Sequence, residues 1–316
     1  MKRLVAVISV VLAVVALGGA VFAAEYPEKP ITYQVPFGPG GQLDIGARRQ
    51  QPLLEKELGV TIKLLYKPGE GGAVGWANLL RQPADGYFIS GINIPHIVLQ
   101  PLARRKPGYE THLLEPIALF QSTPVGIAVL NNSPFASLAD LVTHARNNPG
   151  KVVCGGSGTW TGHHVAFLQF QKLADIKMRY TSFTGSAASV AAFLDGHVDA
   201  LFISSSDLIQ HTGRIRALAM GTAEPFPHLP DVPTFRSQGF DLLASIDRGV
   251  AVPAGTPPQV IAVLEAAFLK IVRDPDIQKQ LIDEGFVPLA MGSVEAKAYI
   301  QSKVKQWKPV VKSLMP

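Results

Sequence analysis

The residues with the most to say about chemistry are three glycine-rich turns and one arginine, not paired acids or histidines. Pro36-Phe37-Gly38-Pro39-Gly40-Gly41-Gln42-Leu43-Asp44 joins an apolar run to an amphipathic one, and Lys67-Pro68-Gly69-Glu70-Gly71-Gly72-Ala73-Val74-Gly75 does the same further on. Glycine admits positive φ and lets a ligand approach the main chain, and a helix start adds partial positive charge, so such turns suit an anion. A plain strand-to-helix turn has the same composition. Neither turn fits G-x-G-x-x-G or the phosphate-loop pattern ending in Gly-Lys-Ser/Thr, which argues against a nucleotide. Gly155-Gly156-Ser157-Gly158-Thr159-Trp160-Thr161-Gly162 and Ser182-Phe183-Thr184-Gly185-Ser186 add hydroxyls beside backbone N–H groups. These either orient a polar ligand group or cap a helix.

Arg248, in Ser245-Ile246-Asp247-Arg248-Gly249, precedes an apolar strand. Its guanidinium can grip a carboxylate with two parallel hydrogen bonds, or pair internally with Asp247 or another acid. Asn93 and His96 follow a strand and are candidates for facing a cleft, although a cap or the surface suits His96 better, since nothing fixes its direction. Enzyme chemistry finds little support. Gly155-Gly156-Ser157-Gly158-Thr159 lacks the last glycine of a G-x-S-x-G elbow, and no Asp or His completes a recognised order of triad residues. His163 and His164 are neighbours whose rings point apart on a helix, so they do not form a metal pair. Neither a metal nor a cofactor is expected.

These turns need strands and helices to hold them. Strands are expected at residues 31–36, 60–66, 87–92, 126–130, 151–154, 200–203, 216–220 and 249–252, with helices between them, the βαβ pattern of a mostly parallel sheet. Ser137 and Asp140 read as a capping box, Thr256, Asp274 and Ser293 as helix openers, and Gly285 as a helix stop. With 316 residues, 47% hydrophobic and 17% charged, the chain is neither disordered nor a polybasic nucleic-acid binder, and its length suits two domains. Two of the five excess positive charges belong to Lys2 and Arg3, so the remainder names no partner. Met1-Lys2-Arg3, an apolar run to Leu17 and small residues up to Ala23 read as a signal peptide over residues 1–23, cleaved after Ala23. No later stretch approaches about 18 uncharged apolar residues, so a soluble periplasmic product is expected. Cys154, the single cysteine, cannot form an internal disulfide and is expected to be a small buried residue.

In order along the chain, Pro36-Phe37 with Gly40-Gly41 and Asp44, Pro68-Gly69 with Gly71-Gly72 and Gly75, and Asp85-Gly86-Tyr87 are followed by Gly156-Ser157-Gly158 with His164. Gly196-His197-Val198-Asp199-Ala200, Leu229-Pro230-Asp231-Val232-Pro233-Thr234 and Pro253-Ala254-Gly255-Thr256-Pro257 complete the series. This pattern resembles the solute receptors of tripartite tricarboxylate transporters, the Bug-type extracytoplasmic binding proteins. The resemblance implies a type II periplasmic-binding fold, two α/β lobes joined by two crossovers with the ligand between them. Residues 24–127 plus 248–316 would form the first lobe and residues 128–247 the second. It also implies a small carboxylate held largely by loop N–H groups and water, at Gly40, Gly41, Gln42, Gly71, Gly72, Ser157, Gly158, Thr159, Thr184 and Gly185. Asn93, His96 and Arg248 join these from the reading of the residues. Asp247-Arg248 departs from the aromatic pair usual there, and Gln42-Leu43 and Cys154-Gly155 depart from small or polar residues. The expected function is an extracytoplasmic receptor, a monomer that closes on an organic carboxylate and delivers it to a membrane permease. A receptor presenting its ligand to a sensor kinase is the alternative, and a hydrolase a remote one.

Overall fold

The computed structural model describes residues 26–315 of the chain; the leader read over residues 1–23 lies outside them. The first half runs β1 (Ile31–Val35), α1 (Gln42–Leu58), β2 (Ile62–Tyr66), α2 (Ala73–Leu79), β3 (Phe88–Ile94), α3 (His96–Ala103) and β4 (Leu114–Leu130). The middle adds α4 (Leu138–Asn147), β5 (Val153–Gly156), α5 (Gly162–Ala174), β6 (Arg179–Ser182), α6 (Ser186–Leu194), β7 (Ala200–Ser204), α7 (Ser205–Gln210) and β8 (Ile215–Met220). The chain ends with β9 (Ser245–Pro253), α8 (Pro258–Val272), α9 (Pro275–Asp283), β10 (Val287–Met291) and α10 (Ser293–Leu314).

Two sheets share one strand. The first has the order β2-β1-β3-β9-β4-β10, with β1, β2 and β3 parallel and β9 antiparallel to both its neighbours. The second has the order β6-β5-β7-β4-β8. β4 pairs with β9 from Leu114 to Pro124 and with β7 and β8 from Val125 onward. Beside it, the Val125 N–H donates to the Ala244 carbonyl at 2.8 Å, so the chain's two passages between lobes run side by side. The result is two α/β lobes joined by two crossovers. Burial separates them: one apolar cluster draws on β1, β3, α2, α3 and α8, and two others on β5, β7, α4 and α5 and on α6 and β8. Among the described residues no helix is long and apolar enough to cross a membrane.

The expected strand at residues 126–130 is only the end of β4, which has 17 residues, and the expected 249–252 is the middle of β9, which has nine. Gln121, Ser122, Thr123 and Pro124 interrupt the apolar run, yet they are buried where the strand leaves one sheet for the other. β10 has no counterpart among the expected strands; Val287-Pro288-Leu289-Ala290-Met291 is short and holds a proline, which an edge strand tolerates but which obscures a strand in the sequence.

The capping box is realised. The Asp140 N–H donates to Ser137 Oγ at 3.1 Å and the Ser137 N–H to Asp140 Oδ2 at 2.9 Å. Ser137→Ala is expected to cost about 1 kcal/mol in urea unfolding, a loss that Ser137→Asn should largely restore. Asp274 also caps its helix, accepting from the Asp276 and Ile277 N–H groups. Thr256 and Ser293 do not open helices with their side chains. Thr256 Oγ1 donates back to the Pro253 carbonyl and Ser293 Oγ to Glu265, leaving Pro257 and Gly292 at the cap positions.

Candidate functional site

A cavity of about 20 Å³ lies between the lobes, lined by Phe37, Gly41, Gln42, Asn93, His96, Ser157, His163, Ser186, Ile246 and Arg248 among others. That is close to the room one water needs. A larger groove of about 630 Å³ runs between α3 and α10 on the first lobe. The small cavity is the candidate site because three residues of its wall carry unpartnered buried polar atoms, Asn93 Oδ1, His96 Nδ1 and Arg248 Nε, and two more such atoms, Gln121 Nε2 and Asp207 Oδ2, belong to residues paired with the wall residues Arg248 and Gln42. Buried polar groups are nearly always hydrogen-bonded, so a cluster of bare ones marks a place built for something else to bind.

Strand register assembles the centre of the site. Arg248 of β9 stands opposite Asn93 of β3 on one side and Gln121 of β4 on the other, so three polar side chains share one row and one face. Asp247, one residue away, stands on the opposite face. There its Oδ1 accepts from Ser122 Oγ at 2.6 Å and its Oδ2 from the Tyr299 hydroxyl at 2.5 Å. Arg248 therefore makes no ion pair with Asp247. It is 2% exposed, and its Nη1 donates to Thr123 Oγ1 at 2.5 Å and the Ile246 carbonyl at 3.1 Å. Burial pushes its pKa down to about 10, against the pull of Asp207 and Asp247, so it stays charged at neutral pH.

Both histidines at the cavity are neutral. His96 is buried, not the surface or capping residue its sequence context favours; burial holds its pKa well below the usual range, with His163 and Arg248 adding to the effect. His163 is pushed down to about 3, chiefly by burial. Its Nδ1 lies 2.9 Å from Ser157 Oγ and its Nε2 3.3 Å from Ser204 Oγ. The contact with Ser157 has the length of a nucleophile and its base, but an imidazole oriented by a hydroxyl and held so far from protonation is poorly matched to proton transfer near pH 7.

The glycine turns play unequal parts. Gly41 and Gln42 line the cavity, whereas the Gly40 N–H is taken by Asp44 Oδ2 at 2.8 Å. Gly71 and Gly158 meet backbone to backbone across the lobes: a Cβ on Gly158 would lie 3.1 Å from the Gly71 Cα, and both residues have positive φ. Gly72 lies against Trp76, where a Cβ would meet the ring at 2.5 Å. Thr159 accepts from Arg104 across the lobes, Thr184 is exposed, and Gly185 precedes α6 with φ +144. Of the residues expected at the site, Gly41, Gln42, Asn93, His96, Ser157 and Arg248 line the cavity. Gly40, Gly71, Gly72, Gly158, Thr159, Thr184 and Gly185 lie off its wall. Trp160 packs with Leu99, Val165 and Val311, and Cys154 is fully buried.

Three residues at or beside the site are not among those expected from the sequence. Gln121 is hidden inside β4 and His163 reads only as half of a failed metal pair. Asp207 follows Ser204-Ser205-Ser206 at the carboxyl end of buried β7, a polar cluster where α/β sheets bind ligands, and that is a usable signal. Asp207 ties the lobes together: its Oδ1 accepts from Gln42 Nε2 at 2.6 Å, and Ser206 Oγ donates to Gln42 Oε1 at 2.8 Å.

A model of the family described as the tripartite tricarboxylate transporter family receptor matches residues 47–315. Protein BugT of Bordetella pertussis is 26% identical over 317 residues, 99% of this chain and 97% of BugT. Among solved structures, the periplasmic binding protein BugD superposes with a TM-score of 0.86 at 26% identity, covering 92% of this chain and 98% of BugD. MatC of Rhodopseudomonas palustris, solved with bound malate, shares the fold with a TM-score of 0.86 at 22% identity, covering 90% of this chain and 100% of MatC.

Proposed function

The chain belongs to the tripartite tricarboxylate transporter receptor family, and from that premise we propose that it is a periplasmic receptor that closes two lobes on a small organic carboxylate and hands it to a membrane permease. The observation that carries the ligand class is Arg248: a buried guanidinium on the cavity wall beside Asn93, not paired with its neighbour Asp247. Leaving such a charge uncompensated is costly, and an anion entering the cavity removes the cost. Gln42 from the first lobe, with Ser157 and His163 from the second, supplies neutral hydrogen-bonding groups around it.

A division close to residues 24–127 plus 248–316 and residues 128–247 is part of the same reading, with the side-by-side passages at Val125 and Ala244, a few residues before those bounds, as hinge. A cavity of about 20 Å³ is smaller than any dicarboxylate, so the lobes part to admit the ligand and close to engage it, and the hydrogen bonds that the ligand makes to both lobes at once favour the closed form. The test is a thermal-shift screen at pH 7 with acetate, malate, adipate, citrate and their amides, paired with small-angle scattering. At least one acid should raise the melting temperature by several degrees, since ligand at a hundred times its Kd adds about 2.7 kcal/mol. Its amide should do nothing, and the same acid should make the particle more compact. Absence of any acid-specific shift at millimolar concentration overturns the reading.

A further inference from the structure

Asp207 belongs to the second lobe but is sealed by the first. Gln42 caps one carboxylate oxygen, and the other, Oδ2, has no partner among the described residues. A carboxylate buried in this way is expensive when charged. The cation that acts on it is Arg248, through its field. The other groups around α7 offer no substitute. Gln42 from α1 and Ser186 at the start of α6 are uncharged. His163, which meets Ser204 before the helix, and His96 across the cavity are held neutral by burial. His211 at the helix end has its pKa lowered by burial and then Arg214. At the Gly285 turn packed on α7, Glu284 is paired with Arg49.

One cation thus serves two anions. In the free protein Arg248 favours the ionised form of Asp207. Once a carboxylate occupies the guanidinium, that help is withdrawn and a second negative charge sits in the cavity that Gln42 lines, with Asp207 bonded to that same Gln42 side chain; two nearby buried carboxylates cannot both stay ionised cheaply. Asp207 is already poised for this: burial raises it to about 6, with its Gln42 hydrogen bond and Arg248 pulling the other way. We propose that the protein binds its carboxylate together with one proton, which Asp207 takes up as the lobes close. The balance is simple. The ligand enters as an anion, solvent or buffer acid gives up one proton, and the proton ends on the Asp207 carboxyl, so for each such pair the negative charge brought in is matched by the proton taken up. This rests on the cavity being the carboxylate site.

Isothermal titration calorimetry of wild type and Asp207→Asn with malate and adipate at pH 7, in buffers of different ionisation enthalpy, tests it. Wild type should show a binding heat that tracks the buffer, with a slope approaching one proton, and its affinity should rise as pH falls from 8 to 6, by at most tenfold per unit. The variant should show neither. A zero slope in wild type, or equal slopes in both proteins, overturns the proposal. A ligand-free readout separates it from the reading of the cavity. A carboxyl whose pKa is raised on folding stabilises below its unfolded pKa, about 3.9, and loses that contribution as pH rises through the folded value. Wild type should therefore lose stability relative to Asp207→Asn between pH 4 and pH 7. Parallel unfolding profiles overturn the proposal even if no acid is found to bind.

Discussion

Arg248→Ala is expected to weaken binding of the cognate carboxylate at pH 7 by about a hundredfold or more, within the 2–5 kcal/mol that truncating one member of a buried charged pair costs. The fold should survive. In the free protein the guanidinium donates only to Thr123 and the Ile246 carbonyl and leaves Nε bare, so its removal relieves a buried charge as well as breaking contacts. Arg248→Lys should fall between, keeping the charge while losing the planar fork. Calorimetry with the acid found by thermal shift measures all three proteins, and circular dichroism checks that they are folded. Affinity of Arg248→Ala within twofold of wild type would falsify the assignment.

Trp76→Ala is expected to have the largest effect on stability, a loss of about 3–5 kcal/mol. Trp76 has no exposed surface, packs edge-on against Phe37 and Tyr109, and donates its indole N–H to the Gly91 carbonyl at 2.9 Å. Deleting it leaves a large void under the strand that carries Asn93 and takes the stronger donor from the Gly91 carbonyl, which keeps Ser90 Oγ at 3.2 Å. Because Phe37 leans on it and lines the cavity, the variant should also bind ligand more weakly. Trp76→Phe should recover most of the packing and lose about 1 kcal/mol for the missing hydrogen bond. Urea unfolding followed by far-ultraviolet circular dichroism gives the numbers; a loss below about 1 kcal/mol for the alanine variant contradicts this account.

The fold is legible wherever burial follows a simple period. β1, β3 and β7 are short, largely buried segments rich in apolar and β-branched residues, and the Ser137–Asp140 box is a local pattern that needs no tertiary context. β4 is half legible because Gln121, Ser122 and Thr123 break its apolar run at the place where the strand changes sheets and borders the site. Local pattern and global fold part company there, as they do at functional positions. The site divides in the same way. Arg248 stands out as a charge set against an apolar strand, and its face follows once β9 is paired. Gly71, Gly158 and Thr159 look like ligand contacts because a turn that meets the other lobe needs the same glycines and hydroxyls as one that meets an anion. Asp207 depends on Gln42, far away in sequence, and no spacing rule connects them.

The placement of β9 also dictates an order of assembly. It lies between β3 and β4 inside the first sheet, yet it is synthesised after the whole second lobe. Until it arrives, β3 and the first half of β4 present facing, unfilled edges, which invite wrong partners. The second lobe needs nothing from β9 to complete its own sheet. Once folded, it brings Ala244 against Val125, which replaces closure of a very long loop by closure of a short one. The lobe inserted into the sequence thus acts as a jig for the lobe it interrupts, delivering the missing strand to its gap in register.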